Sequence, residues 1–346
     1  MFMQNAWYVA AWDREIGRTP LARRICDQPM VFYRREDGTP VALEDMCCHR
    51  MLPLSHGRVE GDLMVCGYHG LTFDGAGKCV RVPSQDRVPP SARVRAFPLV
   101  ERHRFIWVWI GEEAMADPNL VPDIHHNDDP EWAGDGQVMF VECDYRLLVD
   151  NLLDLSHETY VHPSSIGDAR LPSAPIVTSA EGDSATVSRW VFDHEPAPFW
   201  SELMKHSRGY TGNCDRWQIA RFVAPSNVVI DVGVAEAGSG AQQGDRSKGV
   251  TAMVIDCMTP AGPTSCWYFW ANARRFSIED EQLTRDIVVT TAKIFAEDKI
   301  IVEAQQRRMS EFPDYKTMSI NLDVASVRVR RMIEAGSRSV KQSTAA

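Results

Sequence analysis

The first 110 residues alternate short runs of β-branched and aromatic residues with turn residues, a rhythm that predicts antiparallel strands rather than helices. The runs are Met30–Tyr33, Val41–Leu43, Met64–Cys66, Leu71–Phe73 and Phe105–Ile110. Gly38, Gly57, Gly61, Gly75, Gly77, Pro83 and the Pro89–Pro90 pair fall between them and favour turns. After Gly111 the pattern dissolves into Pro118–Trp132, a polar stretch that reads as a linker. Its His125 and His126 have no partner at ligand spacing and read as a solvated pair.

Beyond the linker the chain turns mixed. Leu147, Leu148, Leu152 and Leu155 recur with helical spacing between Asp144 and Tyr160, and Pro163 ends the run. Strand-like segments follow at Thr186–Phe192, Arg216–Val223, Val228–Val234, Val250–Met258 and Ser265–Ala271. Residues 235–248 are rich in Gly, Ser and Gln and read as a flexible loop. Long amphipathic helices are expected over Ile278–Met309 and Asp323–Ile333. The expected organisation is α+β, with a β domain at 1–115, a linker at 116–135 and a mixed domain at 136–346.

The 346 residues, 44% apolar and 24% charged, provide ample core and exclude disorder as the dominant state. The longest apolar run, Phe105–Ile110, is far below the roughly 18 residues of a membrane span. The first dozen residues carry no basic residue ahead of their apolar ones, so no signal peptide is expected and a cytoplasmic location is. A net charge of −10 makes nucleic acid and anionic membranes poor partners. Nine cysteines is an odd count, and Cys47, Cys48, Cys66 and Cys79 are crowded together, which points to metal before disulfides.

The first metal constellation is Cys47-x-His49, sixteen residues, then Cys66-x₂-His69. Each half supplies one thiolate and one imidazole from a turn. Zinc could take such a set, but interleaved ligands suit a [2Fe–2S] cluster with two cysteines on one iron and two histidines on the other. Either Cys47 or Cys48 offers a thiol, and the spacing selects Cys47. Cys79, Cys143, Cys214, Cys257 and Cys266, with His56 and His103, read as structural.

The second constellation is Asn151-x₂-Asp154-x₂-His157-x₄-His162. At i, i+3 the first three share a helix face. His162 would point about 140° away from His157 on a continuous helix, so the helix must end near Pro163 for the two imidazoles to meet. Two histidines call for a carboxylate if the metal is non-haem Fe(II). The apolar stripe Leu283, Ile287, Ile294, Phe295, Ile301 and Val302 is centred on Asp298, with Glu297 at its edge and Glu303 outside. A buried carboxylate needs a metal or a cationic partner, so Asp298 is the expected third ligand.

A Cys/His motif followed by Asp-x₂-His-x₄-His resembles the oxygenase components of Rieske non-haem iron oxygenases over nearly the whole chain. Residues 144–167, 215–222 and 267–270 look most like the oxygenase subunits of vanillate O-demethylases. The resemblance implies a Rieske domain joined to a helix-grip catalytic domain, in a head-to-tail homotrimer. It makes Cys47, His49, Cys66 and His69 the cluster ligands and His157, His162 and Asp298 the iron ligands. It also makes Asp154 the bridge to His69 of a neighbouring subunit. The chain departs from it at Cys48, where proline is frequent, and at Met51, where glycine is.

The implied activity is O₂-dependent O-demethylation of a methoxybenzoate, vanillate foremost, with electrons from an NADH-dependent reductase. Other methoxybenzoates, dicamba and toluenesulfonate are alternative substrate types. A small aromatic acid needs a cation for its carboxylate, for which Arg189, Arg216 and Arg221 are candidates, and Asp231 is a candidate for the phenol hydroxyl. An electron-transfer protein and a zinc-bearing module are the readings from other classes, and iron content separates them.

Overall fold

The computed structural model describes residues 2–338 apart from 169 and 183. It divides into two compact units, one of residues 2–121 with 259–263 and 337–338, the other of 122–258 and 264–336.

The first unit carries ten short strands: β1 (Ala6–Trp12), β2 (Leu21–Ile25), β3 (Gln28–Arg34), β4 (Pro40–Glu44), β5 (Arg58–Glu60), β6 (Leu63–Val65), β7 (Thr72–Phe73), β8 (Cys79–Arg81), β9 (Leu99–Arg102) and β10 (Phe105–Ile110). They form three sheets, β1-β10-β9, β2-β3-β4 and β5-β6-β7-β8. Every residue of β10 is buried, which is why its sequence is continuously apolar rather than alternating. Val31, Tyr33, Leu43, Leu54, Met64 and Phe73 pack in one core with Cys47 and Cys66. The expected strands 64–66 and 71–73 end short of Cys66 and Leu71, because these two residues close a loop on each other.

The second unit is built on a seven-stranded antiparallel sheet. Its elements are β11 (Ala133–Val141), α1 (Tyr145–Leu153), α2 (Glu158–Val161), β12 (Ile176–Glu181), β13 (Ser184–His194), α3 (Pro198–Arg208), β14 (Cys214–Val223), β15 (Asn227–Glu236), β16 (Gly249–Gly262, in this unit as far as 258), β17 (Ser265–Arg274), α4 (Glu281–Glu311) and α5 (Val324–Arg338, in this unit as far as 336). The strand order is β11-β17-β16-β15-β14-β13-β12. Helix α4 buries Ile287, Ile294, Phe295, Asp298 and Val302. Phe295 meets the rings of Tyr268 and Trp270, at 5.2 and 5.3 Å, so the helix grips the sheet at β17. Ile301, expected in the apolar stripe, is 47% exposed and lies outside it.

Strand β11 begins inside the expected linker. Its glycines mask a strand signal, yet a Cβ at Gly136 would stand 1.8 Å from the Trp270 carbonyl oxygen. Only glycine permits that approach. The segment read as a flexible loop is pinned at both ends: Gly238 N–H donates to Asp215 Oδ2 at 2.9 Å and Arg246 Nη1 to Asp231 Oδ1 at 2.7 Å.

Candidate functional site

Two loops of one design carry the first set of residues. Cys47 N–H donates to Leu52 O at 2.9 Å and Met51 N–H to Cys47 O at 2.9 Å, while Cys66 N–H donates to Leu71 O at 2.8 Å and Gly70 N–H to Cys66 O at 3.1 Å. Met51 and Gly70 hold the same place in each loop, with φ of +58° and +72°. The Cys47 and Cys66 thiols are buried, and burial, then the neighbouring Cys66 thiol, push Cys47 up to about 11. Cys48 is exposed, unlike the buried pair. The His49 and His69 rings are exposed and lie 4.6 Å apart. Thiols inside and imidazoles outside fit a two-iron cluster with one cysteine-held and one histidine-held iron.

The second set forms where a helix breaks. Asn151, Asp154 and His157 do not share a helix face: α1 stops at Leu153 and Asp154 is its C-cap, with φ −92° and ψ 91°. The break follows from the Asp154 side chain, whose Oδ1 accepts from Ser156 N–H at 2.8 Å and Ser156 Oγ at 2.5 Å. Such local bonds compete with helix continuation. His157 then opens α2 and His162 closes it, with φ −118° and ψ 44°. That single short turn, ended ahead of Pro163, brings the two imidazoles together with ring centroids 5.3 Å apart.

Asp298 of α4 meets them. His157, His162 and Asp298 place one ligand atom each within 4.8 Å of one another, the sole such group of His, Cys, Asp and Glu among the described residues. Cys47, His49, Cys66 and His69 therefore do not gather around one point, as a single zinc ion would require. Asp298 Oδ1 is 3.2 Å from His162 Nε2 and 3.5 Å from His157 Nε2. Each Nδ1 is engaged elsewhere: His157 donates to the Asp154 carbonyl at 2.5 Å and His162 to Glu297 Oε2 at 2.6 Å. Both rings thus turn an Nε2 lone pair inward, the tautomer a metal needs. Asn151 Nδ2 donates to Asp298 Oδ1 at 3.0 Å. The donor set suits non-haem Fe(II), with positions left over.

The triad opens on a cavity of about 100 Å³ walled by Leu155, Phe199, Val232, Ile294 and Phe295, with Arg216, Gln218, Asn272 and Thr291 as its polar groups. Sequence reasoning missed Glu158, which is buried, takes Arg216 Nη2 at 2.8 Å and also accepts from Gln218. It also took Glu297 for a bystander. Both partners lie far away along the chain; the one available signal was an acidic residue beside each ligand, at positions 158 and 297.

Of the three arginines expected near a substrate carboxylate, Arg216 lines this cavity, Arg189 lines another, and Arg221 is exposed. Asp231 is a correction. Its strand neighbours Ile230 and Val232 face the cavity, so by strand alternation Asp231 points away, to Arg246 and to Trp217 Nε1, which donates to it at 2.8 Å.

A cysteine–histidine site of this kind and a two-histidine, one-carboxylate site on one chain are the donor sets of an iron oxygenase. Residues 6–98 match the Rieske [2Fe–2S] domain, and residues 141–337 match the vanillate O-demethylase oxygenase C-terminal domain. The chain belongs to this family, the oxygenase components of Rieske non-haem iron monooxygenases. It is 43% identical to a vanillate O-demethylase oxygenase subunit of Pseudomonas sp. (strain HR199 / DSM 7063), covering 96% of this chain and 94% of that one. It is 38% identical to the oxygenase component of dicamba O-demethylase from Stenotrophomonas maltophilia, over 96% and 97%. Dicamba monooxygenase bound to 3,6-dichlorosalicylic acid superposes with a TM-score of 0.91 at 34% identity, over 97% and 98% of the two chains.

Proposed function

We propose that this chain is the oxygenase component of a two-component monooxygenase that O-demethylates a methoxybenzoate, converting vanillate to protocatechuate and formaldehyde. The observation that carries this reading is a His157–His162–Asp298 group, with His162 and Asp298 buried and His157 half-buried, opening on a small apolar cavity, on a chain that also bears a Rieske domain. Cys47, His49, Cys66 and His69 are the cluster ligands, and His157, His162 and Asp298 hold Fe(II). The iron, when bound, supplies the O₂ activation that lets oxygen enter a methyl C–H bond.

The protein's part is placement. Phe199, Val232 and Ile294 flank the aromatic ring and keep water from it, and the methoxy group is turned toward the two Nε2 atoms. Insertion of one oxygen atom, the other leaving as water with two electrons from the reductase and two protons, leaves a substrate hemiacetal, which collapses to the phenol and formaldehyde. Arg216 Nε is buried and has no partner, so it donates to the substrate carboxylate while Glu158 balances its charge.

An NADH-dependent reductase would supply the electrons, which a cluster held by Cys47, His49, Cys66 and His69 would relay. Asp154 bridges to His69 of the partner subunit in a homotrimer. Large apolar side chains left uncovered support such assembly: Met51 and Tyr68 beside the cluster ligands, at 70% and 58% exposure, and Tyr160 and Met318 in the second unit, at 75% and 83%. No helix among the described residues is long and apolar enough to cross a membrane, and we place the protein in the cytoplasm. The test is formaldehyde release with a reductase, NADH and a panel of vanillate, other methoxybenzoates, dicamba and toluenesulfonate. Turnover fastest on vanillate is expected. A faster aryl acid, or none turned over, would overturn the assignment.

A further inference from the structure

Arg189 is the most anomalous charged residue outside the iron site. It is 2% exposed, yet Nε, Nη1 and Nη2 all lack a hydrogen-bond partner. A buried guanidinium without an acceptor is strongly disfavoured, and an arriving acceptor relieves that cost.

The sheet explains where the guanidinium goes. Arg189 of β13 is cross-strand partner to Gln218 on one side and to Ile176 of the edge strand β12 on the other. Direct cross-strand partners share a face, and Gln218 lines the cavity beside the iron triad. Arg189 therefore stands on the same sheet face, one strand further out. There it lines a separate cavity of about 390 Å³ with Ser156, Thr178, Asn321, Ile176 and Val324.

The carboxylates whose charge bears on Arg189, Glu158 and Asp154, make no hydrogen bond to it. Glu158 is held by Arg216 and Gln218, and Asp154 Oδ1 takes both donors of Ser156. A lining that combines hydroxyl and amide groups with aliphatic ones suits an anion with a small apolar body.

We propose that this second cavity is a binding site for a small monocarboxylate, whose two oxygens take the Arg189 guanidinium bidentately while its hydrocarbon part rests on Ile176 and Val324. The site is distinct from the substrate cavity, and its existence does not depend on which methoxybenzoate the enzyme turns over.

The test is equilibrium dialysis of the iron-loaded, full-length protein against labelled benzoate, with chloride keeping ionic strength constant. An Arg189-dependent equivalent of benzoate is expected, weakened about 10- to 100-fold in Arg189→Met, with KM for the turned-over substrate unchanged. Thr178→Glu places a carboxylate in the cavity. It should lose the same equivalent while melting above the parent protein, and it keeps the test decisive if Arg189→Met does not fold. Benzoate binding that ignores both substitutions would overturn the proposal. So would the absence of this equivalent in the parent protein with Arg189→Met weakening self-association, which would make the acceptor a carboxylate of a second copy. Loss of turnover on every methoxybenzoate with the Arg189-dependent equivalent intact would instead count against the function proposed above.

Discussion

Glu297 and His162, 135 residues apart, share a 2.6 Å hydrogen bond from Nδ1–H to Oε2. The bond fixes which nitrogen of His162 carries the proton and turns Nε2 toward Asp298. Outer partners of this kind are worth about 10–100-fold in metal affinity. Glu297→Ala should weaken iron retention by that order, and Glu297→Gln, which keeps an acceptor oxygen, should recover most of it. Iron remaining after dialysis against a graded chelator measures the effect; equal retention in all three proteins would remove Glu297 from the metal-holding machinery.

The same contact sets a pH dependence. In the metal-free protein, burial disfavours charge on His162, but the hydrogen bonds and charges of Asp298 and Glu297 outweigh it and raise the imidazole pKa. A metal must displace that proton. Iron uptake should therefore fall with decreasing pH, beginning above the usual histidine range, and the fall should begin at lower pH in Glu297→Ala. Superimposable uptake curves for the two proteins would contradict this.

Met51 occupies the left-handed region at φ +58°, where the sister loop has Gly70 at +72°. Its side chain is 70% exposed and gives little packing in return. A non-glycine residue there carries about 1–2 kcal/mol of strain, partly offset in glycine by unfolded-state entropy. Met51→Gly should stabilise the first unit by about 0.5–1 kcal/mol, read from the denaturant midpoint of the cluster-loaded protein. A lower midpoint would mean that the methionine side chain is held by a contact absent from the isolated chain.

Asp256 is fully buried and accepts a hydrogen bond from Tyr268 Oη at 2.7 Å. Burial pushes its pKa up to about 8; the Tyr268 bond pulls the other way, and the charge of Asp298 adds to the rise. An unfolded aspartate titrates near 3.9. Between about 4 and 8 the folded state keeps a proton that the unfolded state has lost, so stability declines as pH rises through that window. Asp256→Asn should flatten the decline, matching the parent protein near pH 4 and melting higher near pH 8. Melting curves across that range decide it, and an unchanged slope would contradict the buried neutral carboxyl.

Local chemistry was legible in the sequence, and long-range pairing was not. The Cys47–His49 and Cys66–His69 turns announce themselves because each loop carries its own thiol and imidazole within a few residues. Asp298 is visible because a carboxylate on a buried helix stripe demands a metal or a cation beside it. A continuous helix through Asp154 does not form: apolar spacing continues past Leu153, but the bonds from Ser156 to Asp154 stop the helix, and His157 begins a new one. Strand β11 was hidden by the glycines that let it approach Trp270. The pairs Glu158–Arg216 and Glu297–His162 join distant segments, and nothing in either segment names its partner.

Iron content decides between the oxygenase and its alternatives. The parent protein should hold about three irons per chain, two in the cluster and one at His157, His162 and Asp298. Asp298→Ala should hold about two, keep the electron paramagnetic resonance signal of the reduced cluster, and release no formaldehyde from vanillate. If the parent protein held only the cluster irons, or if Asp298→Ala kept its full iron content and turnover, the proposal that His157, His162 and Asp298 hold the iron would be contradicted.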